Sequence, residues 1–165
     1  MERKIGLDMQ LPEGKQPGFY AQIVKGLADK TMLFDRDKEL LVVGDEREYD
    51  AALEVLQHYK VPADRLELLL LPEGAQLYGL FADYGFSSRS ERHYLYEHLV
   101  WPFALVVPDR AASAEPKQAL LQMEEHLIAS YDGSNGQTVL VTDREFTELM
   151  ERIARAYGCG VATPA

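Results

Sequence analysis

The amino-acid sequence predicts an α/β fold, a three-layer sandwich in which helices cover both faces of a mostly parallel or mixed sheet. Apolar runs of strand length alternate with amphipathic segments of helix length along the chain. This alternation is typical of right-handed β-α-β crossovers. The chain has 165 residues, which fits one domain. Because no stretch rich in Pro, Gly or Ser interrupts it, we expect residues 1–165 to form a single α/β domain.

The first half of the chain is predicted to contain strands, helices and a hairpin. The predicted strands are 4–10 and 66–71, the predicted helices are 18–29 and 46–59, and the apolar runs 32–34 and 40–43 flank a charged hairpin turn. Asp45 and Glu48 have the spacing of a capping box at a helix start. The predicted strand 66–71 is apolar almost throughout, which indicates burial on both faces in a partly parallel sheet.

The second half continues the alternation. The predicted helices are 74–83, 89–99, 113–129 and 143–157, the predicted strands are 103–107 and 139–141, and the tail is a candidate edge strand. Two more pairs have capping-box spacing, Ser88 with Glu91 and Thr142 with Glu145. The Gly-Ser-Asn-Gly stretch 133–136 is typical of a hairpin turn.

A shift of 97 residues places parts of the two halves on each other. Phe34-Asp35 then falls on Tyr131-Asp132, and Arg47-Glu48 falls on Arg144-Glu145. One interpretation of the match is two copies of a hairpin-helix-strand unit. The copies would be 18–71 and 113–163, with an aromatic-rich insertion at 74–103. The alternative is that any two amphipathic helices with capping residues align this well.

Charge and cysteine usage restrict the partners and the compartment. The formal net charge is −10, which disfavours double-stranded nucleic acid and anionic membrane surfaces. The charged N-terminus is not followed by an apolar run, so we expect no signal peptide and no membrane span. Cys159 is the only cysteine and cannot form an intrachain disulfide. A reducing compartment, the cytoplasm, is the simplest setting for such a chain.

Acidic residues follow four of the predicted strands and form a candidate metal site. They are Asp45, Glu73, Asp109 and Asp143. In a parallel sheet the carboxyl ends of the strands share one edge, where ligands bind. Carboxylates that converge there would hold Mg²⁺, as a metal-dependent phosphoryl-transfer or nuclease-type enzyme requires. The alternative for each acid is capping of the helix that follows it.

The charged hairpin is a second candidate site. Asp35 and Asp37 follow an apolar run and resemble the nucleophile loop of haloacid-dehalogenase-type phosphatases. Val43-Gly44-Asp45 resembles the later acidic motif of the same family. The resemblance implies catalytic roles for Asp35, Asp37 and Asp45. The sequence departs from that family at Lys38-Glu39, where the family has Gly-Thr, and in the short distance between the two motifs. The alternative is a charged hairpin turn.

Aromatic and basic residues concentrate in segment 84–101, the third candidate site. Tyr, Trp and Arg are the residues that anchor protein interfaces and that stack on bases. A helix over 89–99 would place Arg89, Arg92 and Tyr96 on one face. The predicted binding residues are Arg89, Arg92, His93, Tyr94, Tyr96 and Trp101. The alternative is that these side chains belong to the core.

The sequence therefore favours a non-enzymatic binding or regulatory module that needs no cofactor. Its partner on segment 84–101 would be a protein, a second copy of the chain or a small ligand. One alternative is the Mg²⁺-dependent enzyme built on the acidic strand ends. The other is a single-stranded nucleic-acid binder that acts by aromatic stacking.

Overall fold

The structure is a computed structural model that describes residues 1–14, 17–109 and 112–165. This part of the chain forms two antiparallel sheets and five α-helices. The predicted three-layer sandwich around a mostly parallel or mixed sheet is therefore wrong. The chain divides into two compact units. Unit 1 comprises Met1–Leu70 and Ser87–Tyr94, and unit 2 comprises Leu71–Phe86 and Leu95–Ala165. That residues 1–165 behave as one domain stays a prediction.

Unit 1 has the element order strand, helix, strand, strand, helix, strand. The elements are β1 (Glu2–Met9), α1 (Pro17–Lys30), β2 (Asp35–Asp37), β3 (Leu40–Val43), α2 (Glu46–His58) and β4 (Ala63–Leu70). The strands lie in the order β2-β3-β1-β4, each antiparallel to its neighbours. Each helix thus joins two strands that run the same way but have an antiparallel strand between them, as in ferredoxin-like folds.

The helices of unit 1 form where the sequence predicted them, because apolar spacing and capping agree. The buried side of α1 includes Ile23 and Leu27, which pack in one core with Leu7 of β1. Asp45 has an extended conformation and accepts a hydrogen bond from the backbone N–H of Glu48 at 2.9 Å. The cap satisfies an N–H group that has no partner within the helix and begins α2 one residue later.

The segment after β4 departs most from the predicted elements. It contains β5 (Gln76–Leu77), α3 (Phe81–Tyr84), β6 (Gly85–Ser87), β7 (His93–Tyr96) and a 3-10 helix at Glu97–Leu99. The predicted helices 74–83 and 89–99 are therefore wrong. Ser88 and Glu91 do not form a capping box, because the Glu91 N–H bonds to the Ser88 carbonyl and the Ser88 N–H bonds to the Arg92 carbonyl. These two bonds close a tight turn between β6 and β7, here called the 88–92 turn.

Unit 2 repeats the element order of unit 1. Its elements are β8 (Val100–Val106), α4 (Pro116–Met123), β9 (Leu127–Asp132), β10 (Thr138–Asp143), α5 (Thr147–Ala156) and β11 (Gly160–Ala162). The strands lie in the order β11-β8-β10-β9-β5, and their pairs are antiparallel. The predicted helix 113–129 is too long, because its last residues belong to β9. The tail forms an edge strand as expected.

The four shared strands have the same order in both units. Unit 1 has β2-β3-β1-β4, and unit 2 has β9-β10-β8-β11. The pair Met9↔Ala63 becomes the pair Val106↔Gly160 when both numbers are shifted by 97. The two units therefore share one topology. That residues 18–71 and 113–163 are two copies of a hairpin-helix-strand unit stays a prediction.

Both faces of β3 are covered although its neighbours are antiparallel, which explains the wrong sheet type. All four residues of β3 are buried, although neighbouring residues of a strand point to opposite faces. Continuous apolar runs of this kind are typical of parallel sheets.

Among the described residues no helix has the length and apolar character needed to cross a membrane.

Candidate functional site: a cationic cleft in unit 1

A cleft of about 510 Å³ opens between the β2–β3 hairpin and the 88–92 turn, and its described lining residues all belong to unit 1. Among these residues are three with cationic side chains, Arg36, Lys38 and Arg89. Tyr20 and Phe34 contribute aromatic surface. Such a concentration of positive charge is unusual in a chain whose formal net charge is −10.

The cleft lies at a seam in a curled sheet. With β6 and β7 included, the first sheet has the order β2-β3-β1-β4-β7-β6, so β2 and β6 are its two edges. Even so, the hydroxyl of Tyr94 on β7 donates to Asp35 on β2 at 2.8 Å. The sheet therefore curls like half of a barrel, which brings its two ends together. In the described part of the chain no strand pairing joins β2 to β6, and side chains bridge this gap, here called the seam.

Asp35 is the one acid among the lining residues that the structure describes, and both of its carboxylate oxygens accept hydrogen bonds from the surrounding protein. Its Oδ1 accepts hydrogen bonds from the Ser90 hydroxyl at 3.0 Å and from the Arg36 N–H at 2.8 Å. Its Oδ2 accepts the Tyr94 bond. Arg92 Nη1 lies 3.7 Å from Oδ1. The side chain of Asp35 is only 2 % exposed, so little of its charge faces the cleft.

These hydrogen bonds also keep Asp35 ionised. Burial alone would raise the pKa of this carboxyl, because a charge is poorly solvated inside a protein. Donation from the Ser88 and Tyr94 hydroxyls, from the Arg36 N–H and from the Ser90 hydroxyl outweighs burial and lowers the pKa below its ordinary value. Conversely, burial and the bond to Asp35 raise the pKa of Tyr94, which therefore remains a hydrogen-bond donor.

Cation–π contacts position basic side chains around the cleft. Lys4 Nζ lies 4.1 Å from the centre of the Phe34 ring, and the guanidinium of Arg92 lies 4.6 Å from it. Arg92 also donates to the Phe34 carbonyl at 3.4 Å. The guanidinium of Arg36 lies 5.8 Å from the Tyr20 ring centre. An aromatic ring attracts a cation at these distances, which restrains long side chains that would otherwise be mobile.

Each of the two turns beside the cleft holds a non-glycine residue in the left-handed region. Lys38 has a φ of 53° and Glu91 a φ of 59°. The corresponding hairpin of unit 2, between β9 and β10, uses Gly136 at a φ of 78°. A side chain in this conformation costs roughly 1–2 kcal/mol. Unit 1 thus retains a lysine at a position where glycine would relieve strain.

The structure separates the predicted binding residues. Arg89 lines the cleft, while Arg92 and the fully buried Tyr94 support Asp35 behind it. His93 Nδ1 lies 2.6 Å from the Ser87 hydroxyl. The prediction that Arg89, Arg92 and Tyr96 share a helix face is wrong, because the segment is a turn followed by a strand. Their roles in binding stay predictions.

The remaining two predicted binding residues belong to unit 2. The ring of Tyr96 lies 5.9 Å from that of Phe86. Trp101 stacks on Phe103, with ring centres 4.8 Å apart and an angle of 11° between the planes. Both side chains are half-buried, and Trp101 packs against the core of its unit. A role for them in binding a protein or a nucleic-acid base stays a prediction.

Two of the four acids proposed for the metal site cap helices. Asp45 caps α2, and Asp143 Oδ1 accepts from the Glu145 N–H at 2.8 Å, at the start of a 3-10 helix. Glu73 and Asp109 are exposed. Across residues 1–14, 17–109 and 112–165, no group of three His, Cys, Asp or Glu side chains is placed to hold a metal ion. The four strands lie in two sheets, and β8 and β10 run in opposite directions, so the premise of one carboxyl edge shared by all four is wrong. Mg²⁺ binding stays a prediction.

The cap expected from Thr142 is wrong. Thr142 is fully buried, and its hydroxyl donates to the His126 carbonyl at 2.8 Å, whereas Asp143 provides the cap. Asp143 also accepts from the Tyr84 hydroxyl at 2.5 Å. This bond, with burial, raises the pKa of Tyr84 to about 12. The catalytic roles implied for Asp35, Asp37 and Asp45 stay predictions.

Sequence reasoning missed the cations that the hairpin presents to the cleft. The Asp-Arg-Asp-Lys stretch drew attention to its acids, yet Arg36 and Lys38 line the cleft together with Asp35. The available signal was that two basic residues interleave with the acids in this stretch. Tyr20 had no such signal. Its hydroxyl reaches the cleft region through a bond to the Lys38 carbonyl at 3.0 Å.

The chain matches no protein-family model, no curated protein and no solved structure.

Proposed function

We propose that the chain is a binding module, not an enzyme, and that its ligand is a small organic anion held in the cleft of unit 1. One observation carries the proposal. Arg36, Lys38 and Arg89 line a single cleft of about 510 Å³ in a chain with a net charge of −10. The single carboxylate of the lining is buried and hydrogen-bonded, so it opposes an anion less than a free acid would.

The lining also indicates the chemistry of the ligand. Guanidinium groups bind carboxylates and phosphates through two parallel hydrogen bonds, and an ammonium group adds a compact charge. Leu33 and Phe34 provide apolar surface beside these cations. Small-molecule sites commonly combine a concave apolar wall with a few polar groups. A carboxylate or phosphate ester with an apolar portion fits this description.

The groups at and behind the cleft whose pKa is shifted, Asp35 and Tyr94, have structural roles. Asp35 and Tyr94 are bonded to each other, and Ser90 donates to the same carboxylate. A general base or nucleophile needs a free lone pair directed at the substrate. This arrangement favours recognition over catalysis. The buried, unpaired Cys159 suits a reducing compartment, and we propose the cytoplasm as the location.

Calorimetric titration with phenyl phosphate tests the proposal. We expect Arg89→Ala to weaken binding by about tenfold or more, because a charge-assisted hydrogen bond contributes roughly 1.5–3 kcal/mol. The matched control is Arg47→Ala, which removes the same charge from an exposed position on α2 outside the lining. It should change the affinity by less than about twofold. Equal affinities of Arg89→Ala and the unaltered chain, or no binding at millimolar phenyl phosphate, would contradict the proposal.

A further inference from the structure

We infer that Asp35 is a positioning residue that fastens the 88–92 turn to β2 and so holds Arg89 at the cleft. The inference deepens the proposed function and rests on it. The contacts that Asp35 makes with Ser90, Arg92 and Tyr94 are called the Asp35 clasp. Ser90 and Arg92 lie on the turn itself, and Tyr94 lies on the strand that follows.

The clasp joins segments that are distant in the chain and in the sheet. Asp35 and Tyr94 are 59 residues apart, and they lie toward opposite ends of the strand order β2-β3-β1-β4-β7-β6. Backbone pairing within the sheet therefore does not set the distance between them. Side-chain bonds do so at the seam, and the cleft opens at the same place. The clasp thus determines how far Arg89 lies from Arg36 and Lys38.

Positioning and simple electrostatics predict opposite results when Asp35 is neutralised. Removal of a negative charge beside three cations should strengthen the binding of an anion, by Coulomb's law. If the clasp positions Arg89, the same change should weaken binding, because the turn becomes free to move and the cations no longer converge. The sign of the change therefore separates the two explanations.

The experiment compares Asp35→Asn with Asp37→Asn. Asp37 lies on the same strand but outside the cleft lining, so its replacement removes an equal charge and leaves the clasp intact. With phenyl phosphate as the probe, we expect Asp35→Asn to weaken binding by about tenfold, since it disrupts bonds to a charged group. Asp37→Asn should leave the affinity equal or raise it by up to about threefold. Equal or tighter binding by Asp35→Asn would overturn the inference and leave the proposed function standing.

A measurement without ligand keeps the two proposals distinguishable. We expect amide hydrogen exchange in residues 88–92 to become faster in Asp35→Asn and to stay unchanged in Asp37→Asn. If the unaltered chain binds no phenyl phosphate, the proposed function fails, and unchanged exchange in Asp35→Asn would then also overturn the clasp. Should Asp35→Asn fail to fold, Tyr94→Phe and Ser90→Ala each remove one bond to the carboxylate and keep the charge. Both should show faster exchange in the turn, and unchanged exchange in both would refute the clasp.

Discussion

Replacement of Lys38 by glycine should stabilise the protein while weakening anion binding. Lys38 has a φ of 53° at the first residue of the turn between β2 and β3. A non-glycine residue in this region costs about 1–2 kcal/mol. Glycine adds freedom to the unfolded chain, which costs about 0.4–1 kcal/mol. The difference is a gain of roughly 0.5–1 kcal/mol in the free energy of unfolding.

Urea unfolding followed by circular dichroism measures this gain. A slope of about 2 kcal/mol per molar urea gives a rise in the midpoint of roughly 0.3–0.5 M. The bond from the Tyr20 hydroxyl survives in the variant, because its acceptor is the backbone carbonyl of residue 38.

Lys38→Ala is the matched variant, because it removes the same charge and keeps the unfavourable φ. We expect both variants to bind phenyl phosphate several-fold more weakly than the unaltered chain, and only Lys38→Gly to unfold at higher urea. Equal midpoints in the two variants would refute the argument from backbone strain. Unchanged affinity in both would show that Lys38 does not contact the anion.

Two further predictions concern stability outside the cleft. Asp45→Ala should lower the free energy of unfolding by about 0.5–2 kcal/mol, because the Glu48 N–H loses its cap; an unchanged urea midpoint would contradict this. Tyr84 has its pKa raised from 10.0 to about 12, so its contribution to stability is complete below pH 10 and is lost as the pH rises toward 12. Melting temperatures recorded from pH 9 to pH 12 should therefore fall less steeply in Tyr84→Phe than in the unaltered chain, and parallel curves would exclude the Tyr84–Asp143 bond as the cause.

Local signals predicted α1 and α2 well, whereas α4 and α5 are shorter than the predicted helices 113–129 and 143–157. For α1 and α2 the apolar spacing, together with the cap on α2, placed each boundary within one residue of the structure. The same spacing of Ser or Thr and Glu failed at Ser88 and Thr142, because these residues also favour tight turns and buried bonds to carbonyls. A capping box is informative only where an apolar helical pattern follows it.

The direction of the strands could not be deduced from alternation and burial alone. In both units a helix connects strands that run the same way, but a third strand lies between them and makes every ladder antiparallel. An apolar run such as β3 indicates burial on both faces but does not indicate the direction of the neighbouring strand. The cleft could not be predicted from the sequence either, because it is the curl of the whole sheet that brings Asp35 close to Tyr94.

The seam also bears on how the protein avoids self-aggregation. The outer side of β2 is a sheet edge, and exposed edges can recruit strands from other molecules. Charged side chains on an edge and a short strand are two known defences, and β2 has both in its Asp-Arg-Asp sequence. Arg36, which lines the cleft, is therefore also one of the charged side chains that protect this edge. Variants that remove these charges should be examined for fibrils as well as for ligand affinity, because both properties depend on one short strand.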